Sequence, residues 1–249
     1  MNKIAMITGA TSGIGLGTAK ALASEGFNLI LTGRRNDRLE NIKKEIEEKY
    51  KVKVLILCFD VRNQSEVEKA VSSLSAEWKN IDVLVNNAGI GGGDISCTTE
   101  EEFDQVIQTN LKGTFFLSRV IARYMIENKI KGNILNIASS SSLRPAASAY
   151  TFSKWGIRGF TLGLAKTLAP YGITVNGLAP GPTATPMLKR DANDITFTNN
   201  PMGRFAMPEE IANMAVILVS DMGRSIMGDI VYMTGGAGIL TYDDVNYGF

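Results

Sequence analysis

The sequence predicts an α/β fold: a single doubly wound, Rossmann-type domain with a seven-stranded parallel sheet and helices on both faces. Two observations carry this. Seven short, β-branched apolar runs alternate with longer amphipathic segments, and the runs are apolar almost throughout, as strands covered on both faces must be. The unusual residues also cluster directly after those runs, where ligands bind in open parallel sheets.

In chain order the runs are KIAMIT (3–8), NLILTG (28–33), KVLILCF (53–59), IDVLVNN (81–87), GNILNIA (132–138), GITVNGLA (172–179) and DIVYMTGG (229–236). A helix opens after the glycines that follow the first run. Further helices are predicted over Asn36 to Tyr50, Ser65 to Trp78, Glu100 to Glu127, Tyr150 to Leu168 and Pro208 to Val219. The single domain spans 1–249. About 186–207 form a long polar segment without clear periodicity, which is either a substrate lid or disorder. About 240–249 form a C-terminal tail.

Composition narrows the function classes. The chain has 249 residues, 45% hydrophobic and 20% charged, with a net charge of +1, so no broad basic field gathers nucleic acid. No apolar run reaches the roughly 20 residues that span a bilayer. The two cysteines, Cys58 and Cys97, lie far apart without metal-like neighbours, and Cys58 reads as a buried small hydrophobe. No metal site is expected, and the protein reads as cytoplasmic. There is no histidine, so acid–base chemistry near neutral pH needs another group.

TGATSGIG (8–15) follows the first strand and opens a helix. Glycines there let backbone amides approach a pyrophosphate while the helix amino end faces its charge. The second strand ends in Gly33-Arg34-Arg35, with no acid until Asp37. An arginine at this point accommodates the 2′-phosphate of NADP, whereas an acid would bind the ribose of NAD. Tyr150 and Lys154 are four apart at a helix start, so they share a face. An ammonium beside a phenol favours the phenolate, bringing tyrosine toward service as a general acid or base.

Taken in order, TGATSGIG, Asp60-Val61, Asn86-Asn87-Ala88-Gly89, Asn110, Tyr150-Thr-Phe-Ser-Lys154 and Pro180-Gly181 resemble the motifs of the short-chain dehydrogenase/reductase family, NADP-preferring type, across essentially the whole chain. The resemblance implies NADP(H) as cofactor. It implies cofactor contacts from Gly9, Thr11, Ser12, Gly13, Ile14, Gly15, Arg34, Arg35, Asp60, Val61, Asn87, Tyr150, Lys154, Pro180, Gly181 and Thr183. It also implies a catalytic set of Asn110, Ser139, Tyr150 and Lys154: Tyr150 as proton donor, Lys154 on the nicotinamide ribose, Asn110 supporting a water beside Lys154.

Ser139 follows the strand end and is favoured as the oxyanion partner, with Ser140 second. The loop from Ser139 to Tyr150 is two residues shorter than the family's usual one. Met187, Leu188 and Phe197 could line an apolar substrate wall. Arg144 reads first as a surface charge and second as a partner for an anionic substrate.

The expected activity is hydride transfer between NADP(H) and a small carbonyl or secondary alcohol. The alternatives are 3-oxoacyl-acyl-carrier-protein reduction, oxidation of a sugar, polyol or hydroxysteroid, or a non-enzymatic NADP(H) sensor or scaffold. Tyr171 stands where the carrier-protein branch commonly has an arginine. A homotetramer or dimer is expected, with no nucleic-acid or membrane partner.

Overall fold

The structure is a computed structural model, described here over residues 2–191 and 193–238. The tail expected at about 240–249 lies outside the described residues.

Seven parallel strands form one sheet in the order β3-β2-β1-β4-β5-β6-β7. They are β1 Ile4–Thr8, β2 Asn28–Gly33, β3 Val54–Cys58, β4 Ile81–Asn86, β5 Asn133–Ile137, β6 Thr174–Pro180 and β7 Ile230–Met233. The helices are α1 Gly13–Ser24, α2 Asn36–Tyr50, α3 Gln64–Ser72, α4 Glu100–Ile107, α5 Thr114–Glu127, α6 Ala149–Leu168 and α7 Pro208–Val219. After β1 the chain builds outward through β2 and β3, then returns to the other side of β1 as β4. The switch in direction opens a crevice at the carboxyl ends of β1 and β4.

Strand side chains alternate between faces, and that alternation divides the core in two. Ala5, Ile7, Leu29, Leu31, Val83 and Val85 pack with Leu22, Leu39, Ile46 and Ile211 of α1, α2 and α7. Ile4, Met6, Ile30 and Leu84 point the other way, onto Val67, Leu117, Ile121 and Leu168 of α3, α5 and α6. Each fully buried Leu, Ile, Val or Met side chain among them contributes about 1.5–3 kcal/mol. Among the described residues no helix is long and apolar enough to cross a membrane.

Three expectations are corrected. The segment from Ser65 to Trp78 is not one helix; α3 ends at Ser72 and a separate 3₁₀ turn spans Ala76–Trp78. The segment from Glu100 to Glu127 is not one α-helix; a π-helical turn, Gln108–Gly113, separates α4 from α5. Gly113 sits against Val61, where a Cβ would come within 2.9 Å of its Cγ2, so close packing there accompanies the irregular turn. Cys58 is exposed, not buried, because it ends β3 at the sheet edge.

Candidate active site

The crevice begins where β1 turns into α1. Gly9 and Gly13 take left-handed backbone angles, φ 63° and 54°, which glycine adopts without the strain a Cβ brings. The Thr8 hydroxyl accepts the amides of Asn87 and Ala88, both at 2.9 Å, locking the end of β1 to the loop after β4. Asn87 returns the tie, its Nδ2 donating to the Thr8 carbonyl at 2.9 Å and to the Gly9 carbonyl at 3.2 Å. Asn86 faces inward instead and bonds Ser118 and Asn136, consistent with a structural role.

A cavity of about 590 Å³ opens above these turns. Gly9, Thr11, Ser12, Gly13, Ile14, Arg34, Arg35, Asp60, Val61 and Asn87 all line it. Arg35 donates to the Thr11 hydroxyl at 2.8 Å. Asp60 forms an ion pair with Arg62 at 2.7 Å, and this bond to Arg62 holds its carboxyl below the usual range. Gly15, expected as a contact, does not line the cavity. It lies beneath, where a Cβ would fall 2.3 Å from Asn87 Nδ2 and 2.5 Å from the Gly9 carbonyl oxygen.

A second cavity, of about 360 Å³, continues from the first. Ile14, Asn87, Gly89, Thr185 and Met187 belong to both walls. Ser139, Ser140, Tyr150, Lys154, Pro180, Gly181 and Thr183 line it. Ser148 caps the helix that carries Tyr150, accepting the Thr151 amide at 3.1 Å. Lys154 is buried, and its Nζ donates to the Ile137 carbonyl at 2.8 Å and sits 5.6 Å from the Tyr150 ring centre. Burial lowers the Lys154 pKa to about 8.

Burial also raises the Tyr150 phenol above its ordinary value, while a hydrogen bond with Ser139 pulls the other way. The expected net lowering by Lys154 is therefore not what the structure shows: desolvation of the phenolate outweighs the other influences. Ser139 and Ser140 both line the cavity, and the Ser139 Oγ accepts the Ser141 amide at 3.1 Å. Asn110 lies in the π turn, buried. Its Oδ1 accepts the Ile90 amide at 2.9 Å, and its Nδ2 donates to the Ile90 carbonyl at 3.0 Å and to Ser153 at 2.9 Å. It thus pins the loop after β4 to the helix of Tyr150 and Lys154.

Residues 3–196 match the sequence model of the family described as short chain dehydrogenase. The chain belongs to the short-chain dehydrogenase family. It is an oxidoreductase by that membership. Among curated relatives it is 36% identical over 240 residues to the 3-oxoacyl-acyl-carrier-protein reductase FabG of Thermotoga maritima, covering 94% of this chain and 97% of that one.

Among solved structures it resembles a single-residue variant of actinorhodin polyketide ketoreductase with NADPH, at 33% identity and a TM-score of 0.87, over 96% of this chain and 98% of the other. It also resembles the 3-ketoacyl-(acyl-carrier-protein) reductase of Brucella melitensis complexed with NADH, at 32% identity and a TM-score of 0.85, over 95% and 98% of the two chains.

In this short-chain dehydrogenase the segment after β6 is anchored at several points. Thr183 bridges to Ala206 and Thr196 to Arg204. Arg204 grips Glu210 through two 2.8 Å bonds. Met187 and Leu188 line the second cavity as expected. Phe197 does not: it stacks on Phe205, ring centres 4.6 Å apart, away from that wall. Thr185, which joins the two cavities, and Thr32, which lines the first and whose buried hydroxyl has no partner among the described residues, were not anticipated from the sequence. The only signal for Thr185 was its nearness to Pro180-Gly181.

Proposed function

We propose that this oxidoreductase uses NADP(H) to reduce a small carbonyl compound, with Tyr150 as proton donor. The observation that carries this reading is the continuity of the two cavities, the first bordered by the glycine turn with Arg34 and Arg35, the second by Ser139, Tyr150 and Lys154. The residues present fit a dinucleotide. The first turn of α1 holds no acid and the Ser12 side chain makes no cap bond, so its amides can meet an anion. A bound nicotinamide would supply the hydride.

The amides from Gly9 to Ile14 would hold the pyrophosphate, and Arg34 with Arg35 the 2′-phosphate. Asp60 and Val61 would border the adenine, and Asn87 the adenosine side. Pro180, Gly181 and Thr183 would border the nicotinamide. Lys154 would bind its ribose. Ser139 would hold the carbonyl oxygen while the Tyr150 phenol, kept protonated by burial, donates to it.

Reduction on acyl carrier protein is the second reading, supported by the similarity to the Thermotoga reductase. Against it stands the exposed Tyr171, at the position where the carrier-protein branch commonly has an arginine for docking its carrier. The free thiols of Cys58 and Cys97 fit a reducing compartment, the cytoplasm. A spectrophotometric screen of β-ketoesters, diketones, sugars, steroids and acyl thioesters tests the reading. KM for NADPH is expected at least about tenfold below KM for NADH, and an NADH preference would overturn the NADP assignment.

A further inference from the structure

The second cavity is lined by two cations and, among its described lining residues, by no aspartate or glutamate. One cation, Lys154, is buried and bonded to Ile137. The other is Arg144, exposed at the wall. Its backbone is held on both sides: its N–H donates to the Ser141 carbonyl at 3.2 Å, and its own carbonyl accepts the Trp155 indole N–H at 2.7 Å. Arg158 of the same helix donates to the Ser142 carbonyl at 3.1 Å and lies 5.3 Å from the centre of the Trp155 ring. The loop carrying Arg144 is therefore seated on α6, the helix that carries Tyr150.

No ion pair among the described residues involves Arg144. Asp94, whose backbone bridges to Ser148 beside this loop, turns its carboxylate onto Ser96 and Cys97 of its own turn. Gly91 and Gly92 put no side chain into the cavity, and Met187 and Leu188 line it as exposed apolar side chains. An arginine on this wall offers a guanidinium, the group that matches a carboxylate in bidentate geometry.

We infer that the substrate is a small oxo acid, its carbonyl at Tyr150 and Ser139 and its carboxylate on Arg144. This rests on the reductase reading above and adds the substrate's charge. The test compares kcat/KM for matched pairs with NADPH: 3-oxobutanoate against its ethyl ester, and dihydroxyacetone phosphate against dihydroxyacetone. NADPH binding, followed by fluorescence, reports that each variant is folded.

Wild type is expected to favour the oxo acid over its ester by at least about tenfold, Arg144→Gln to lose that ratio, and Arg144→Lys to keep part of it. Equal use of acid and ester, or a ratio that Arg144→Gln leaves in place, overturns the inference alone. A preference confined to the phosphate pair overturns the carboxylate assignment. Binding of NADPH without turnover of any carbonyl overturns the reductase reading and this inference together.

Discussion

Tyr150 and Lys154 are two titratable groups that burial drives toward their neutral forms, the phenol by a raised pKa and the amine by one lowered to about 8. For the amine the consequence for stability has a definite sign. Between about 8 and its ordinary 10.5, folded Lys154 has released a proton that the unfolded chain still holds. The unfolded state then binds more protons, so stability rises with pH across that window. Below about 8 the cost of burying the ammonium is present in full. Lys154→Met removes this dependence.

Urea denaturation at pH 7.5 and 9.5 is expected to show wild type gaining stability relative to the variant; a gap that does not change with pH would contradict a buried, depressed lysine. The interval stops short of 10, because above it the raised Tyr150 pKa acts in the opposite sense. There the folded state keeps a proton that the unfolded chain loses.

At the scale of elements, β1, its glycine turn and the loop after β4 behave as one joint. Gly15 is the tightest point, since a Cβ would overlap Asn87 Nδ2 and the Gly9 carbonyl, neither of which can withdraw without breaking the Thr8–Asn87 bonds. Gly15→Ala is expected to cost about 1–3 kcal/mol and to weaken NADPH binding, read as a lower Tm and a higher Kd. An unchanged Tm and Kd would show that the joint is looser than described.

Much of this level was legible in the sequence. Asn36–Tyr50 and Pro208–Val219 begin and end where their apolar periodicity does. The π turn at Gln108–Gly113 was not legible, because its features are tertiary: Asn110 bonds Ile90 and Ser153, and Gly113 meets Val61. An asparagine in mid-helix was its only local trace. Thr185 and the stacking of Phe197 on Phe205 escaped for a similar reason, since a segment without periodicity gives no register from which to read which side chains turn inward.

At the scale of the molecule, the all-parallel sheet explains why separated motifs could be read as one site. Every strand delivers its carboxyl end to the same edge, so residues following β1, β2, β3, β4, β5 and β6 meet along one groove. The central claim is that this groove brings a dinucleotide to a tyrosine that donates the proton. The most direct measurement is NADPH oxidation with 3-oxobutanoate or its ethyl ester by wild type and by Tyr150→Phe, with NADPH binding followed in parallel. A loss of turnover by on the order of 10²–10⁴-fold, with NADPH still bound, is the predicted result. A Tyr150→Phe variant that turns over near the wild-type rate would contradict the account.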